Sequence, residues 1–191
     1  MPTVNRLSPD VFVVEELFTR EECSAWITQS EDIGYCAATI SGQRKKAVRR
    51  EVRNNDRVIL DSEELADSLW QRVSEFAPGR YIIWESVGLN ERFRFYRYDP
   101  GQRFVWHSDA VYQHVNGSQS WYTLLIYLND DFDGGATGFK KFRVVPKVGS
   151  ALFFMHKALH QGESVSKGRK YVLRTDVMFQ KHEKKETANE R

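Results

Sequence analysis

Trp121-Tyr122-Thr123-Leu124-Leu125-Ile126-Tyr127-Leu128-Asn129 is an almost unbroken run of aromatic, aliphatic and β-branched side chains. Such a run reads as a strand, because aromatic and β-branched side chains favour the extended backbone. Runs of the same character lie on either side of it, at Tyr81–Glu85, Arg92–Tyr98, Arg143–Phe154 and Lys170–Phe179. Turn signals separate them: Asp99-Pro100-Gly101, Asn116-Gly117, Asp133-Gly134-Gly135 and Lys167-Gly168. Nothing between them carries helical periodicity.

Upstream the pattern changes. Val11–Leu17 is a short strand candidate. Thr19 with Glu22 forms a capping box that opens a helix through Trp26 and Ile27. A second helix is predicted to begin near Asp61, with Glu64 three residues on. Leu65, Leu69, Val73 and Phe76 recur at helical spacing, and Pro78 closes it. Helices followed by strands without intervening helices give an α+β, mainly β class with an antiparallel barrel or sandwich. One domain is expected over 1–181, with helical support over about 1–80, a β core over about 81–181, and a disordered polar tail at 182–191.

With 191 residues, 41% of them hydrophobic, the chain can bury a substantial core. Its 28 basic and 26 acidic side chains leave +2, unlike the strongly basic balance of nucleic-acid binders. Two cysteines, Cys23 and Cys36, are too few for a disulfide framework and point to a reducing compartment. No leader-like or membrane-length apolar stretch is present, so a cytoplasmic protein without membrane or nucleic-acid partners is expected.

His107-Ser108-Asp109 places an imidazole and a carboxylate two residues apart, where an extended backbone turns both to one side. His160, from a distant strand, is the expected third ligand. Two imidazoles and one carboxylate form the facial set of non-haem iron(II) oxygenases, leaving half an octahedron for substrates. His156 stands four residues before His160, but the strand-like Gly149-Ser-Ala-Leu-Phe-Phe154 before it argues against a helical zinc pair, so His156 is read as structural. His114 and His182 fall in a polar loop and in the tail.

The surrounding order is distinctive. Tyr98-Asp-Pro-Gly-Gln-Arg-Phe-Val-Trp-His107-Ser-Asp109 is followed by Leu124–Asn129, then by Gly134-Gly-Ala-Thr-Gly-Phe139. Val145–Phe154 leads into Leu159-His160-Gln-Gly162, and Gly168-Arg-Lys-Tyr-Val-Leu-Arg-Thr-Asp176 closes the series. This order resembles the prolyl 4-hydroxylase-like branch of the 2-oxoglutarate- and iron(II)-dependent dioxygenases, most clearly over about residues 90–180. The resemblance implies a double-stranded β-helix (a jelly-roll, cupin-like core) with N-terminal supporting helices. It also implies iron(II), 2-oxoglutarate as cosubstrate, O2 and ascorbate dependence.

On the same resemblance Lys170, ten residues after His160, anchors the distal carboxylate of 2-oxoglutarate. Strand alternation sets Lys170, Val172, Arg174 and Asp176 on one face, making Arg174 the alternative anchor. Tyr127 aligns with a family tyrosine that donates to the same carboxylate, and Tyr98 is a similar candidate near the iron. Thr137 reads as a turn residue, and Ala136 stands where the family often carries an acid. The basic stretch 44–57 has two readings, a solvated loop or a flap over the active site in which Arg49, Arg50 and Arg53 attract an acidic peptide. The expected activity is hydroxylation of an unactivated C–H bond on a peptide or protein. Hydroxylation of a free amino acid or other small molecule is the alternative. A non-catalytic cupin-like metal-binding module would have no use for a distal-carboxylate anchor, and a zinc hydrolase would need an H-E-x-x-H pattern that is absent. Oligomeric state is not legible in the sequence.

Overall fold

The largest sheet carries the Trp121–Asn129 run at its centre, as the strand Gln119–Tyr127. Its neighbours are Ala151–Met155 on one side and Lys170–Lys181 on the other, both antiparallel. In this computed structural model, which describes residues 1–38, 40–41, 46–47 and 51–182, that sheet has ten strands. Its order is Thr3–Ser8, Val11–Glu15, Ala151–Met155, Gln119–Tyr127, Lys170–Lys181, Arg92–Tyr98, Asp56–Asp61 and Cys36–Ala37. Trp84–Leu89 pairs with the far half of Lys170–Lys181 and forms a hairpin with Arg80–Tyr81. A smaller sheet of Phe104–His107, His160–Gly162, Thr137–Phe139 and Arg143–Val144 is also antiparallel. The two together are the double-stranded β-helix.

Strand periodicity divides the interior in two. Leu124 and Ile126 join Phe93, Phe95 and Leu173 in a cluster that also takes Cys23, Ala66, Leu69 and Val73 from the helices. Leu125 and Tyr127 point the other way, joining Tyr96, Tyr98 and Val172 against Phe139 and Val144 of the smaller sheet. Both faces of the central strands are therefore covered, which is why their sequence runs apolar without alternating.

Helix α1 spans Arg20–Ile33 with the capping box intact: Glu22 N donates to Thr19 Oγ1 at 3.1 Å, and Thr19 N to Glu22 Oε2 at 2.7 Å. Helix α2 spans Glu63–Val73, and its N-cap is Ser62, not Asp61. Ser62 Oγ accepts from Leu65 N, while Asp61 ends the preceding strand and takes two hydrogen bonds from Arg92, each 2.8 Å.

Other expectations are corrected. Thr3–Ser8 and Asp56–Asp61 are strands with no strong alternation to announce them; backbone pairing with an existing sheet edge makes them extended. Tyr81–Glu85 is not one strand but straddles a hairpin turn at Ile82, φ 57°. Arg143–Phe154 divides at Pro146–Gly149 between the two sheets. Gly149, at φ +74°, could carry no side chain there, since a Cβ would lie 1.9 Å from Phe18 O. Residues 183–191, most of the expected disordered tail, lie outside those described.

Candidate metal centre and cosubstrate cavity

His107 ends the strand Phe104–His107, and its register partner on the next strand is His160. Antiparallel pairing thus sets two imidazoles from distant sequence side by side, with ring centroids 4.2 Å apart. Phe104 stacks on His107 at 3.5 Å, and Phe154 packs against His160 at 4.4 Å, so neither ring is free to turn. The chain leaves the strand after His107 and turns Asp109 back toward the pair, with Asp109 N donating to His156 O at 2.9 Å. Asp109 Oδ1 lies 3.9 Å from His107 Nε2 and Oδ2 lies 3.8 Å from His160 Nε2. All three side chains offer a ligand atom within 4.8 Å of the others.

Protonation suits a divalent ion. His107 Nδ1 donates to Val105 O at 2.8 Å and His160 Nδ1 to Ala158 O at 2.9 Å, which leaves each Nε2 lone pair facing the cluster. Burial, then the neighbouring His160, brings His107 down to about 4, and burial likewise lowers His160, so both rings are neutral at pH 7. Burial alone would raise the Asp109 carboxyl. Arg174, His160 and the Thr123 hydroxyl outweigh it and hold the group well below the usual carboxylate range. Neutral imidazoles with an ionised carboxylate are the states a metal requires.

A chain of hydrogen bonds fixes the carboxylate. Thr123 Oγ1 donates to Asp109 Oδ2 at 2.6 Å, so it must accept from His156 Nδ1 at 3.0 Å. His156 Nε2 then accepts from Ser120 Oγ at 2.8 Å, and Ser120 Oγ accepts from Tyr112 N at 2.8 Å. Every donor in the series has one acceptor. His156 is structural as expected, but its role is to orient a carboxylate. Thr123 escaped the sequence reading, although a polar residue in step with Leu125 and Tyr127 inside an apolar run was a usable signal.

Beside the three side chains a cavity opens between the sheets, lined among others by Tyr98, Thr137, Lys170, Val172 and Arg174. Lys170 is buried, with its ammonium on Gly135 O at 2.6 Å and 5.4 and 5.5 Å from the Tyr98 and Tyr127 rings. Burial lowers its pKa to about 7. Among the described residues the carboxylate acting on it is Glu163, which is engaged with Arg143 at 3.8 Å. A buried cation without its own counterion is costly unless something anionic enters. A dicarboxylate with one end at the histidines and the other at Lys170 fits that cavity.

A family model described as the 2OG-Fe(II) oxygenase superfamily matches residues 93–175, the span holding all three metal-site residues and Lys170. Over that span the chain is similar to the 2OG-Fe(II) oxygenase superfamily. It is 27% identical over 136 residues to a probable prolyl 4-hydroxylase 8 of Arabidopsis thaliana, covering 69% of this chain and 45% of the relative. It is 24% identical to prolyl 4-hydroxylase 1 of the same plant, covering 89% and 69%. The chain thus spans under half the length of the first of these. Among solved structures, a viral collagen prolyl hydroxylase of Paramecium Bursaria Chlorella virus-1, complexed with 2OG, superposes with TM-score 0.66 at 21% identity, covering 90% and 97%. A prolyl hydroxylase of Trichoplax adhaerens, in complex with a hypoxia inducible factor peptide fragment, gives 0.65 at 16%, covering 89% and 84%. Identities this low speak for the fold. Iron(II), 2-oxoglutarate and O2 are the cofactors of this superfamily, and the three clustered side chains and Lys170 accommodate the first two.

Four of the expectations about the site change. Arg174 is not an alternative anchor. Its Nη1 lies 3.0 Å from Asp109 Oδ1 and its Nη2 3.0 Å from Asp176 Oδ1, so it is committed at the metal end of the cavity. Tyr127 is wholly buried, and its hydroxyl meets Thr137 Oγ1 at 2.7 Å; it reaches the cavity through that residue. Thr137 is accordingly no turn residue but a buried strand position on the cavity wall. Arg49 and Arg50 lie outside the described residues. Arg53 is at the cavity mouth but not in solvent: it is 5% exposed, with its guanidinium 4.3 Å from the Tyr96 ring and 4.5 Å from Phe104.

Proposed function

We propose that this chain is a 2-oxoglutarate-dependent hydroxylase that oxidises an unactivated C–H bond, prolyl 4-hydroxylase-like in acting on a peptide or protein. The observation that carries the reading is the buried Lys170, which has no ion pair among the described residues and lines the same cavity as His107, Asp109 and His160. His107, Asp109 and His160 would hold iron(II), and Lys170 the distal carboxylate of 2-oxoglutarate, with Thr137 and Tyr98 on the walls beside it. When bound, iron(II) with 2-oxoglutarate supplies the chemistry that splits O2, yielding succinate and CO2 and placing one oxygen atom on the substrate.

The protein's part is positioning and exclusion of water. Nδ1 donation by His107 and His160 presents both Nε2 atoms inward, and Thr123 and Arg174 each hold one oxygen of Asp109. Because a carboxylate occupies the third ligand position, a halide has no vacated protein site, which favours hydroxylation over halogenation. Phe154, Leu125 and Val172 keep the cavity between the sheets apolar. Ascorbate, as a reductant rescuing oxidised iron, belongs to the same reading. So does a reducing compartment, supported by two unpaired cysteines.

Anaerobic addition of iron(II) and then 2-oxoglutarate tests it. A weak visible charge-transfer band is expected, absent in His160→Ala and shifted or lost in Lys170→Met. Admission of O2 should then release succinate. Incubation with a cell lysate, followed by mass spectrometry for a 2-oxoglutarate-dependent gain of one oxygen, identifies the substrate. A site that binds iron(II) without the band and without succinate refutes the proposal.

A further inference from the structure

Outside the iron position the cavity opens into a groove lined by Val52, Arg53, Arg57, Arg94 and Tyr96 on one side and by Ser108 to Tyr112 on the other. Four guanidinium groups (Arg53, Arg57, Arg94 and Arg174) line it against two carboxylates, Asp109 and Asp176. Iron(II) and the 2-oxoglutarate dianion cancel each other in charge, so loading the site leaves this excess in place.

The arrangement works against stability. Arg94 and Arg174 are direct register partners on neighbouring strands, and like charges opposite each other destabilise a sheet. Asp176 bridges them, at 3.4 Å from Arg94 Nη1 and 3.0 Å from Arg174 Nη2. Arg53 is buried with its Nε on Asn55 Oδ1 at 2.6 Å, and its Nη2 meets no acceptor among the described residues. Burial would raise the Tyr96 phenol, yet Arg53, Arg174 and Arg94 together bring it below its ordinary value. Burial, then Tyr96, Arg53 and Arg94, act on Arg57, with the net effect downward. Such conflict between local charge and fold is expected at sites built for a ligand.

We propose that the substrate carries a carboxylate close in space to the carbon that is hydroxylated, and that Arg94 grips it at the mouth of the site. This rests on the hydroxylase reading above. Among the described residues the Arg94 guanidinium donates to Asp176 and, at 3.5 Å, to Arg92 O, both through Nη1. The Nη2 edge is left for a carboxylate, and the side chain is 19% exposed. Arg53 and Arg57 supply field: two further cations beside a low-dielectric wall of Tyr96 and Phe104 strengthen attraction to an anion. The carboxylate is either the side chain of an acidic residue flanking the target in a peptide, or the α-carboxylate of a free amino acid.

Four probes separate these sources: N-acetylproline and its neutral amide, and the capped peptides Gly-Asp-Pro-Glu-Gly and Gly-Asn-Pro-Gln-Gly. Calorimetric titration is made on protein loaded with Mn(II) and 2-oxoglutarate, so that no turnover is needed. At least one carboxylate probe should bind about tenfold or more tightly than its neutral counterpart, and the preference should shrink with salt. Preference in the peptide pair points to a flanking acidic residue; preference in the N-acetylproline pair points to an α-carboxylate. Arg94→Gln should erase it and Arg94→Lys retain part. Equal binding within both pairs, or no binding of either carboxylate probe up to about 10 mM, overturns the proposal. So does a preference that survives Arg94→Gln. Succinate release without substrate, measured with iron(II) on the same samples, reports the hydroxylase reading separately, and its absence beside an intact carboxylate preference sinks that reading alone.

Discussion

Replacing Thr123 with valine removes one oxygen atom and little volume, yet strands two partners. Asp109 Oδ2 loses a 2.6 Å bond from a hydroxyl, and His156 Nδ1–H, in a side chain only 2% exposed, loses its acceptor. A hydrogen bond to a charged group contributes about 1.5–3 kcal/mol, and an orphaned buried donor costs about 1–3 kcal/mol. The two contributions share one hydroxyl and do not add in full, so about 2–4 kcal/mol of destabilisation is expected in the metal-free protein. For a chain of this size that is a fall in melting midpoint of about 4–16 °C. The effect on the metal is separable. With its orienting donor gone, Asp109 has more freedom to leave the geometry shared with His107 and His160, and loss of such a support typically costs about 10–100-fold in metal affinity. Anaerobic iron(II) titration and thermal melting, with and without metal, measure the two effects. Thr123→Ser, which keeps the hydroxyl, should recover most of the affinity. If Thr123→Val binds iron(II) as tightly as the unaltered protein, or if serine fails where valine fails, the carboxylate is not held by this chain of hydrogen bonds.

Lys170 titrates at about 7 when folded against 10.5 in the exposed state, so between those values the unfolded chain holds more protons and stability rises with pH. Lys170→Met should therefore stabilise the protein lacking 2-oxoglutarate, most strongly below pH 7, with the gain fading toward pH 10.5 in melts run across that range. The same ammonium must be charged to hold a carboxylate. Affinity for 2-oxoglutarate should then fall above pH 7 by up to about tenfold per unit, with proton uptake seen by calorimetry in buffers of different ionisation heat. Gly149→Ala sets a methyl 1.9 Å from Phe18 O at a φ of +74°, in a loop that also receives the Leu17 and Phe18 amides. A loss of at least about 3 kcal/mol, or about 6–12 °C, is expected in melting experiments. Divalent metal at about 100 times its dissociation constant should raise the midpoint by about 5–11 °C, and a chelator should reverse this without unfolding, because Arg174 still pairs Asp109 when the ion is gone.

The composition of the strands, the capping box at Thr19 and the spacing of His107 and Asp109 are local properties, and all were legible in the sequence. So was the shared face of Lys170, Val172, Arg174 and Asp176, since a period of two needs no tertiary information. The order of motifs along the chain carried the resemblance to an oxygenase family, and through it the choice of His160 and Lys170. What the sequence could not determine was which of two inward-facing cations on one strand meets which anion. Lys170 and Arg174 look alike as candidates until the fold sets Asp109 beside Arg174 and Lys170 on Gly135 O. Nor could it show that Arg53, within the basic stretch 44–57, is drawn in between Tyr96 and Phe104, or that a threonine and a histidine 33 residues apart are joined on one carboxylate. Register, burial and pairing are long-range quantities, fixed by how two sheets close over a shared cavity. A strand of given composition is compatible with many partners, and only the closed fold selects among them.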